Sequence, residues 1–244
     1  GKDLKLSLDL GAQREAQKLL GDKKGVILAM EVGTGAVKVL YSAPSYDPNP
    51  LTWGVSSREW SRLLNDPARP MMNRAISGAY PPGSTFKAVP ALAGLVEKIA
   101  TPRTTVFCPG QLKVGNRVFR CWKRGGHGTV SLVSALKDSC DVYFYQVGLW
   151  LGADRLLEWS GRFGVGKLTG IDLPGESRGN LAGREWKEKR FNEPWFHGDT
   201  VNYSIGQGFL LVTPLQLARI YAAFANGGTL VVPHLVAEET PQGT

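Results

Sequence analysis

The stretch of sequence that decides the fold covers residues 80 to 87 and reads Tyr80-Pro81-Pro82-Gly83-Ser84-Thr85-Phe86-Lys87. Two prolines and a glycine end an extended segment, so Ser84 is predicted to begin a helix. From Ser84 to about Ile99 the apolar residues recur at spacings of three and four, which is typical of a helix with one buried face. Ser84 and Lys87 then lie on the same face of that helix, one turn apart.

This serine and lysine have the chemistry of an acyl-enzyme. A serine hydroxyl is a weak nucleophile at neutral pH and needs an adjacent base, and a lysine can be that base in a buried or cationic environment. The start of the helix adds N–H groups that favour a developing oxyanion. The pattern alone is weak, because the chain contains a second copy, Ser134-Ala135-Leu136-Lys137, which is predicted to lie within a helix rather than at its start.

A second polar element strengthens the prediction. Ser139-Cys140-Asp141 lies between two predicted helices, where a turn can direct polar side chains into a cleft. Ser-x-x-Lys, Ser-x-Asn and Lys-Thr-Gly together form the signature of penicillin-binding proteins and related β-lactamases. Ser139 and Asp141 resemble the second of these motifs, with Asp in place of the usual Asn. Asp141 would either position the substrate amide or pair with Lys87.

The resemblance to high-molecular-weight penicillin-binding proteins extends over nearly the whole chain. Residues 73–87 are similar to the nucleophile segment of that family, and residues 42–49 to the sequence after its first two strands. Gly206-Gln207-Gly208, followed by residues 213–218, resembles a further hallmark. Ser139-Cys140-Asp141 and Phe119-Arg120-Cys121-Trp122 look most like the elongation-type class B members, the penicillin-binding protein 2 group.

The resemblance implies an α/β (α+β) fold of the penicillin-recognising serine transpeptidase and β-lactamase type. Such a fold has a central antiparallel sheet and a largely helical subdomain. The expected segments are an N-terminal helix and hairpin (1–60), a nucleophile helix with a mostly helical subdomain (61–205), and a late helix with the start of the remaining sheet (206–244). No Lys-Thr-Gly or Lys-Ser-Gly occurs in the sequence. The C-terminal strands are therefore expected to be missing, and these 244 residues alone to be inactive.

Local patterns predict the elements in more detail. Helices are predicted at 11–20, 130–138, 142–152, 153–163 and 214–226. Strands are predicted at 26–30, which looks buried on both faces, and at 36–41, joined by a Gly-rich turn. A second hairpin is predicted within 105–122, turning at Gly115-Asn116. Residues 44–70 are predicted to be rich in loops, and residues 164–205 to form an irregular loop.

The resemblance also implies a mechanism. Ser84 attacks the penultimate D-Ala carbonyl of a peptidoglycan stem peptide, D-Ala leaves, and an amine of a neighbouring stem resolves the acyl-enzyme. Lys87 takes the Ser84 proton, Ser139 relays a proton to the leaving amine, and Asp141 positions Lys87 or the substrate. β-Lactams would acylate Ser84. The whole protein would act in cell elongation at the extracytoplasmic face of the bacterial cytoplasmic membrane. It would have an N-terminal anchor helix and a membrane-embedded glycan polymerase as its partner.

Two other functions remain open from the sequence. A β-lactamase shares the first motif but needs a base for rapid deacylation, and the Glu-x-x-Leu-Asn string of one such class is absent here. A β-lactam sensor domain would be acylated but would have no acceptor site.

A metal site is predicted from the cysteines. All three cysteines and one of three histidines fall between residues 108 and 140, namely Cys108, Cys121, His127 and Cys140. Three thiolates and an imidazole form a recognised tetrahedral zinc set. The alternative is a Cys108–Cys121 disulfide with Cys140 free. The resemblance favours structural Zn²⁺, because some elongation-type members look to hold zinc at matching positions, with carboxylates replacing the first two cysteines.

The net charge of +8 favours anionic partners. Basic residues cluster at Lys113–Arg124 and Arg184–Arg190 without a nucleic-acid-binding motif. They are either solvated basic surfaces or contacts to an anionic membrane surface.

Overall fold

The computed structural model describes residues 3–237. The chain divides into two compact units, each assembled from separate stretches of sequence. The first unit contains residues 1–79, 167–178 and 213–244, and the second contains residues 80–166 and 179–212. No helix between residues 3 and 237 is both long and apolar enough to span a membrane.

The first unit contains a hairpin and four helices in its described part. Their bounds are α1 Leu10–Leu20, β1 Gly25–Met30, β2 Val37–Ala43, α2 Asn49–Trp53, α3 Ser57–Asn65 and, late in the chain, α9 Pro214–Ala225. β1 and β2 are antiparallel, and the main chain at His234 and Val236 forms further bridges to residues 36 and 6. Helix α1 packs on β2 and α9 packs on β1. The core of this unit contains Val37, Ala75, Ile76, Ile171, Leu215 and Leu235.

The second unit is mostly helical and carries two small antiparallel pairs. Its elements are a 3₁₀ segment Gly83–Lys87, α4 Ala88–Val96, β3 Thr105–Cys108, β4 Gln111–Val114, β5 Arg117–Arg120, β6 Gly128–Ser131, α5 Leu132–Lys137, α6 Asp141–Arg162, α7 Arg184–Phe191 and α8 His197–Ser204. β3 pairs with β6, and β4 pairs with β5. Helix α6 is central and packs against both α4 and α8. Its Gly148 lies so close to Ser204 of α8 that a Cβ would clash.

Most of the predicted elements are confirmed. Helices α1 and α9 match their predicted bounds within one residue, and both begin at a side-chain N-cap, Asp9 and Thr213. The two hairpins are present, the second with its turn at residues 115–116. The helices predicted at 142–152 and 153–163 form α6, whose backbone is non-helical at Gly152 (φ 76°).

Three expectations are wrong. The loop-rich stretch 44–70 contains α2 and α3, and α3 begins with a Ser56–Glu59 capping box that the sequence already carries. The region 164–205 contains α7 and α8. Strand β1 is half-buried rather than buried on both faces, with Ala29 exposed, because β2 is its only strand partner between residues 3 and 237.

Candidate active site

The nucleophile segment forms a 3₁₀ turn that continues directly into α4. In a 3₁₀ helix the side chains at i and i+3 eclipse each other, so Ser84 and Lys87 lie on one edge of this turn. Ser84 is exposed, whereas Lys87 is only 2% exposed. Within residues 3–237, the Ser84 side chain makes no hydrogen bond. The predicted position of Ser84 at a helix start is confirmed, and a direct Ser84–Lys87 hydrogen bond is not formed in this state.

Ser139 is positioned by the way α5 ends. The N–H of Cys140 donates to the carbonyl of Ala135 at 2.8 Å, and the N–H of Ser139 donates to that of Leu136 at 3.2 Å. These two bonds form a Schellman motif, whose left-handed position glycine usually occupies. Here the position is Ser139, with φ 53°. A serine in this conformation costs about 1 kcal/mol or more relative to glycine, the residue that this position usually carries.

The ammonium of Lys87 joins three of the predicted residues into one buried cluster. Its Nζ donates to Asp141 Oδ1 at 2.6 Å, to the carbonyl of Ser139 at 2.9 Å and to Ser139 Oγ at 3.0 Å. Asp141 is the first residue of α6, where the helix dipole favours a carboxylate. Lys87, Ser139 and Asp141 are therefore brought together as predicted, and Asp141 pairs with Lys87.

Two further residues hold this cluster and were missed from the sequence. The backbone N–H of Trp122 donates to Asp141 Oδ2 at 2.9 Å, and its indole N–H donates to the carbonyls of Asp138 and Ser139, both at 3.1 Å. The ring of Phe144 lies 5.7 Å from Lys87 Nζ, in the range of a cation–π contact. Phe144 could have been found from its position one helical turn after Asp141. The contact from Trp122 to Asp141 is made by the backbone N–H, which leaves no sequence signal.

The four predicted metal ligands also converge. One ligand atom from each of Cys108, Cys121, His127 and Cys140 lies within 4.8 Å of the others, and the three cysteines are buried free thiols. His127 Nδ1 is 3.6 Å from the Cys108 sulfur and 3.5 Å from the Cys121 sulfur. Tetrahedral zinc with Zn–S of about 2.3 Å and Zn–N of about 2.0–2.1 Å places such atoms roughly 3.5–3.6 Å apart. The residues present therefore fit zinc in both chemistry and spacing.

Burial of the cluster affects the protonation of Cys140. Burial is the main cause that raises the pKa of the Cys140 thiol to about 12, and the neighbouring Cys108 and Cys121 thiols add to it. A bound cation reverses this preference, because a coordinating thiol is held as the thiolate.

Comparison with known proteins identifies the family. The family described as "Penicillin binding protein transpeptidase domain" matches residues 25–243.

This chain belongs to the penicillin-binding protein transpeptidase family.

Related proteins and solved structures agree with this family assignment. The peptidoglycan D,D-transpeptidase MrdA of Escherichia coli (strain K12) is 44% identical over 245 aligned positions, which cover 100% of this chain and 39% of that protein. The structure of Pseudomonas aeruginosa PBP2 in complex with WCK 5153 has a TM-score of 0.93 and 42% identity, covering 97% of this chain and 52% of that one. The complex of PBP2 and MreC from Helicobacter pylori has a TM-score of 0.93 and 40% identity, and the match covers 97% of this chain and 44% of that one. This chain thus spans about half or less of the proteins it matches.

The motif that resembles a hallmark of the family lies directly beside the nucleophile segment. Gly206, of the Gly-Gln-Gly hallmark, accepts a 2.8 Å hydrogen bond from the N–H of Gly83, directly before Ser84. A Cβ at residue 206 would clash with the Gly83 backbone, so the hallmark glycine permits this close approach.

The second Ser-x-x-Lys copy was expected to lie within a helix rather than at its start, and this expectation is wrong. Ser134 lies in the first turn of α5, where its hydroxyl forms a reciprocal capping box with Ser131.

Proposed function

We propose that the protein containing this chain is a peptidoglycan D,D-transpeptidase with Ser84 as its nucleophile. One observation carries the proposal: an exposed serine opens a helix one turn before a buried lysine that contacts both Ser139 and Asp141. The 44% identity to an Escherichia coli D,D-transpeptidase supports the same reaction.

In the first step, Ser84 Oγ attacks the carbonyl carbon of the penultimate D-Ala of a stem peptide. An O–C bond forms and the C–N bond to the terminal D-Ala breaks. Lys87 receives the Ser84 proton, and the leaving amine of D-Ala takes a proton. The N–H of Ser84, near the helix start, is one donor to the oxyanion.

The contact between Lys87 and Ser139 supplies a proton path. Once Lys87 has received the Ser84 proton, its ammonium has three N–H donors, which match its contacts to Asp141, to the Ser139 carbonyl and to the Ser139 hydroxyl oxygen. The 3.0 Å distance from Nζ to Ser139 Oγ is short enough for proton transfer. Lys87 accepts from Ser84, and Ser139 delivers to the leaving amine.

In the second step, an amine of a neighbouring stem attacks the acyl-enzyme. A new C–N bond forms, the ester to Ser84 breaks, and the hydroxyl of Ser84 recovers a proton. This step separates the transpeptidase from the two alternatives. A β-lactam sensor would stop at a stable acyl-enzyme, and a β-lactamase would use water to release hydrolysed penicillin repeatedly.

The test uses the full-length protein with a stem peptide ending in D-Ala-D-Ala and an acceptor amine. We expect release of D-Ala together with an equal amount of the transfer product. Penicillin labelling without any D-Ala release would instead indicate a sensor. Many turnovers of penicillin hydrolysis would indicate a β-lactamase.

The partners and location follow from the same proposal. The complex of a related protein with MreC supports assembly with an MreC protein, and the family resemblance supports a membrane-embedded glycan polymerase as partner. The substrate lies in the cell wall, so the site belongs at the extracytoplasmic face of the cytoplasmic membrane.

We also propose that Cys108, Cys121, His127 and Cys140 hold structural Zn²⁺. Cys108 ends β3, Cys121 directly follows β5, and His127 directly precedes β6. One bound ion would therefore link the ends of these three strands to Cys140. Cys140 is the N-cap of α6 and stands between Ser139 and Asp141. Zinc held by these four residues would stabilise the structure and would take part in no step of the reaction. The alternative remains a Cys108–Cys121 disulfide with Cys140 free.

We expect about one zinc per chain in full-length protein purified without chelator. Metal analysis and a thiol count before and after chelation provide the measurement, and removal of zinc should expose three reactive thiols and lower the unfolding temperature. A Cys140→Ser variant should lose most of the metal, because it leaves only three ligands. Zinc-free protein with one reactive thiol and a Cys108–Cys121 bond would contradict the site.

A further inference from the structure

The side chain of Trp122 lies at the surface, beside the buried cluster around Lys87. It is 64% exposed, so core packing contributes little to holding the ring. Its indole N–H donates to two main-chain carbonyls, those of Asp138 and Ser139, both at 3.1 Å. Its ring also meets the ring of His127 edge-on, with the centroids 5.4 Å apart. An exposed aromatic side chain that binds main-chain carbonyls in this way points to a role in fixing that main chain.

The two carbonyls belong to the two peptide groups that flank Ser139. In the first peptide group, the N–H of Ser139 donates to a carbonyl of α5 at 3.2 Å, and the carbonyl of Asp138 accepts the indole N–H. In the second, the N–H of Cys140 donates to a carbonyl of α5 at 2.8 Å, and the carbonyl of Ser139 accepts the same indole N–H. Each peptide group is therefore held by α5 at its N–H and by Trp122 at its carbonyl. Because the planes of the two flanking peptide groups set φ and ψ of a residue, Trp122 fixes the backbone of Ser139.

The backbone of Ser139 needs such support. Its φ of 53° lies in the left-handed region, which glycine adopts readily and serine rarely. In this conformation Ser139 Oγ lies 3.0 Å from Lys87 Nζ, the contact on which the proposed proton path depends. A change of the backbone towards a more common conformation would redirect the Cα–Cβ bond of Ser139 and move its hydroxyl away from Lys87.

The contacts of Lys87 must change during the reaction. Its Nζ contacts Asp141, the Ser139 carbonyl and Ser139 Oγ, and it makes no hydrogen bond to Ser84 in this state. An amine that accepts the Ser84 proton has only two N–H donors, so one of the three contacts is given up. Loss of the Asp141 contact would leave a carboxylate without its cation, and loss of the Oγ contact would interrupt the proton path. The Ser139 carbonyl is the acceptor that can release Lys87, because the indole N–H of Trp122 remains bound to it.

We infer that Trp122 is a positioning residue for acylation of Ser84. Its indole N–H keeps the Ser139 carbonyl in place while Lys87 turns towards Ser84, so the hydroxyl of Ser139 stays directed at Lys87. Trp122 acts through Ser139 and contacts no reacting atom. The inference rests on the proposed function, because that function assigns the nucleophile to Ser84 and the proton relay to Ser139. The bond from Trp122 to Asp141 uses the backbone N–H, so a change of the side chain tests the indole alone.

The test uses two replacements of Trp122 in the full-length protein. Trp122→Phe keeps an aromatic ring and removes the indole donor, and replacement by 3-benzothienylalanine keeps the shape of indole but has sulfur in place of the N–H. The dependence of the acylation rate on penicillin concentration gives a dissociation constant for the noncovalent complex and a rate constant for acylation. We expect the rate constant to fall roughly tenfold in both proteins, the upper range for the loss of one hydrogen bond, and the dissociation constant to stay unchanged. A purely structural role would reduce the amount of protein that is labelled and leave the rate constant of the labelled protein unchanged.

Two controls locate the effect. Trp53 is 89% exposed and its side chain makes no hydrogen bond within residues 3–237, so Trp53→Phe should acylate at the parent rate. In a Ser139→Ala background the hydroxyl that Trp122 positions is absent. Adding Trp122→Phe to Ser139→Ala should therefore cause no further loss of rate.

A parent rate constant in the protein with benzothienylalanine at position 122, or a tenfold loss that persists in the Ser139→Ala background, would overturn the role of Trp122. The proposed function fails in a different way. A parent protein that penicillin labels, but that releases no D-Ala from a stem peptide ending in D-Ala-D-Ala, would overturn the transpeptidase assignment. The rate constants measured with penicillin would still decide the role of Trp122.

Discussion

Ser84→Ala in the full-length protein is expected to abolish covalent labelling by penicillin. The variant removes the oxygen that forms the acyl bond, and no other hydroxyl occupies its position at the start of the nucleophile helix. Ser84 is exposed and its side chain makes no hydrogen bond within residues 3–237, so the free energy of unfolding should change by about 0.5 kcal/mol or less. Gel fluorescence with a labelled penicillin and a thermal unfolding curve provide the two measurements.

The second Ser-x-x-Lys copy supplies the matched control. Ser134→Ala removes a hydroxyl with the same spacing to a lysine, but that hydroxyl serves the capping box of α5. We expect a loss of about 1 kcal/mol in stability, as for other helix-capping residues, and labelling that persists. Labelling that survives in Ser84→Ala and disappears in Ser134→Ala would reverse the assignment of the two motifs.

Lys87→Met is expected to lower the rate of penicillin acylation by about 10²–10⁴, the usual contribution of a general base. The variant keeps a long side chain but removes the proton acceptor. It also leaves the Asp141 carboxylate buried without its cation, and breaking a buried pair in this way typically costs about 3–5 kcal/mol. Acylation kinetics and the free energy of unfolding measure the two effects separately.

A double variant distinguishes a catalytic lysine from a structural one. Lys87→Met with Asp141→Asn removes both charges, so much of the lost stability should return while acylation stays slow. If the double variant regained both stability and the acylation rate, the role of Lys87 would be to balance the charge of Asp141 and not to accept a proton.

The residues of the proposed reacting centre lie in short motifs with fixed geometry, which is why the sequence indicates them. Ser84 and Lys87 are three residues apart at a helix start that two prolines and a glycine mark. Ser139 and Asp141 lie on either side of Cys140 in a turn between helices. The cysteine cluster was predicted from residue type together with the family resemblance, with a Cys108–Cys121 disulfide as the alternative. For the two serine motifs, the chemistry and the local structure lie within the same few residues, whereas the cysteine cluster draws its members from residues 108 to 140.

Other features depend on partners that are distant in sequence. β3 and β6 have four residues each and pair across an intervening hairpin, so neither carries a periodic pattern long enough to detect. The contact from Trp122 to Asp141 is made by a backbone N–H, which any residue other than proline could provide. Helices α7 and α8 lie among Gly, Pro and Trp residues that suggest a loop. Asp199 supports the start of α8 by accepting the N–H of Phe196, and this capping signal precedes no clear apolar pattern.

The most direct test of the central claim is mass spectrometry of the full-length protein trapped during reaction with a stem peptide that ends in D-Ala-D-Ala. The account predicts an adduct on the peptide containing Ser84, with the mass of the stem peptide less one D-Ala. An adduct on any other residue, or an adduct that retains both D-Ala residues, would contradict it.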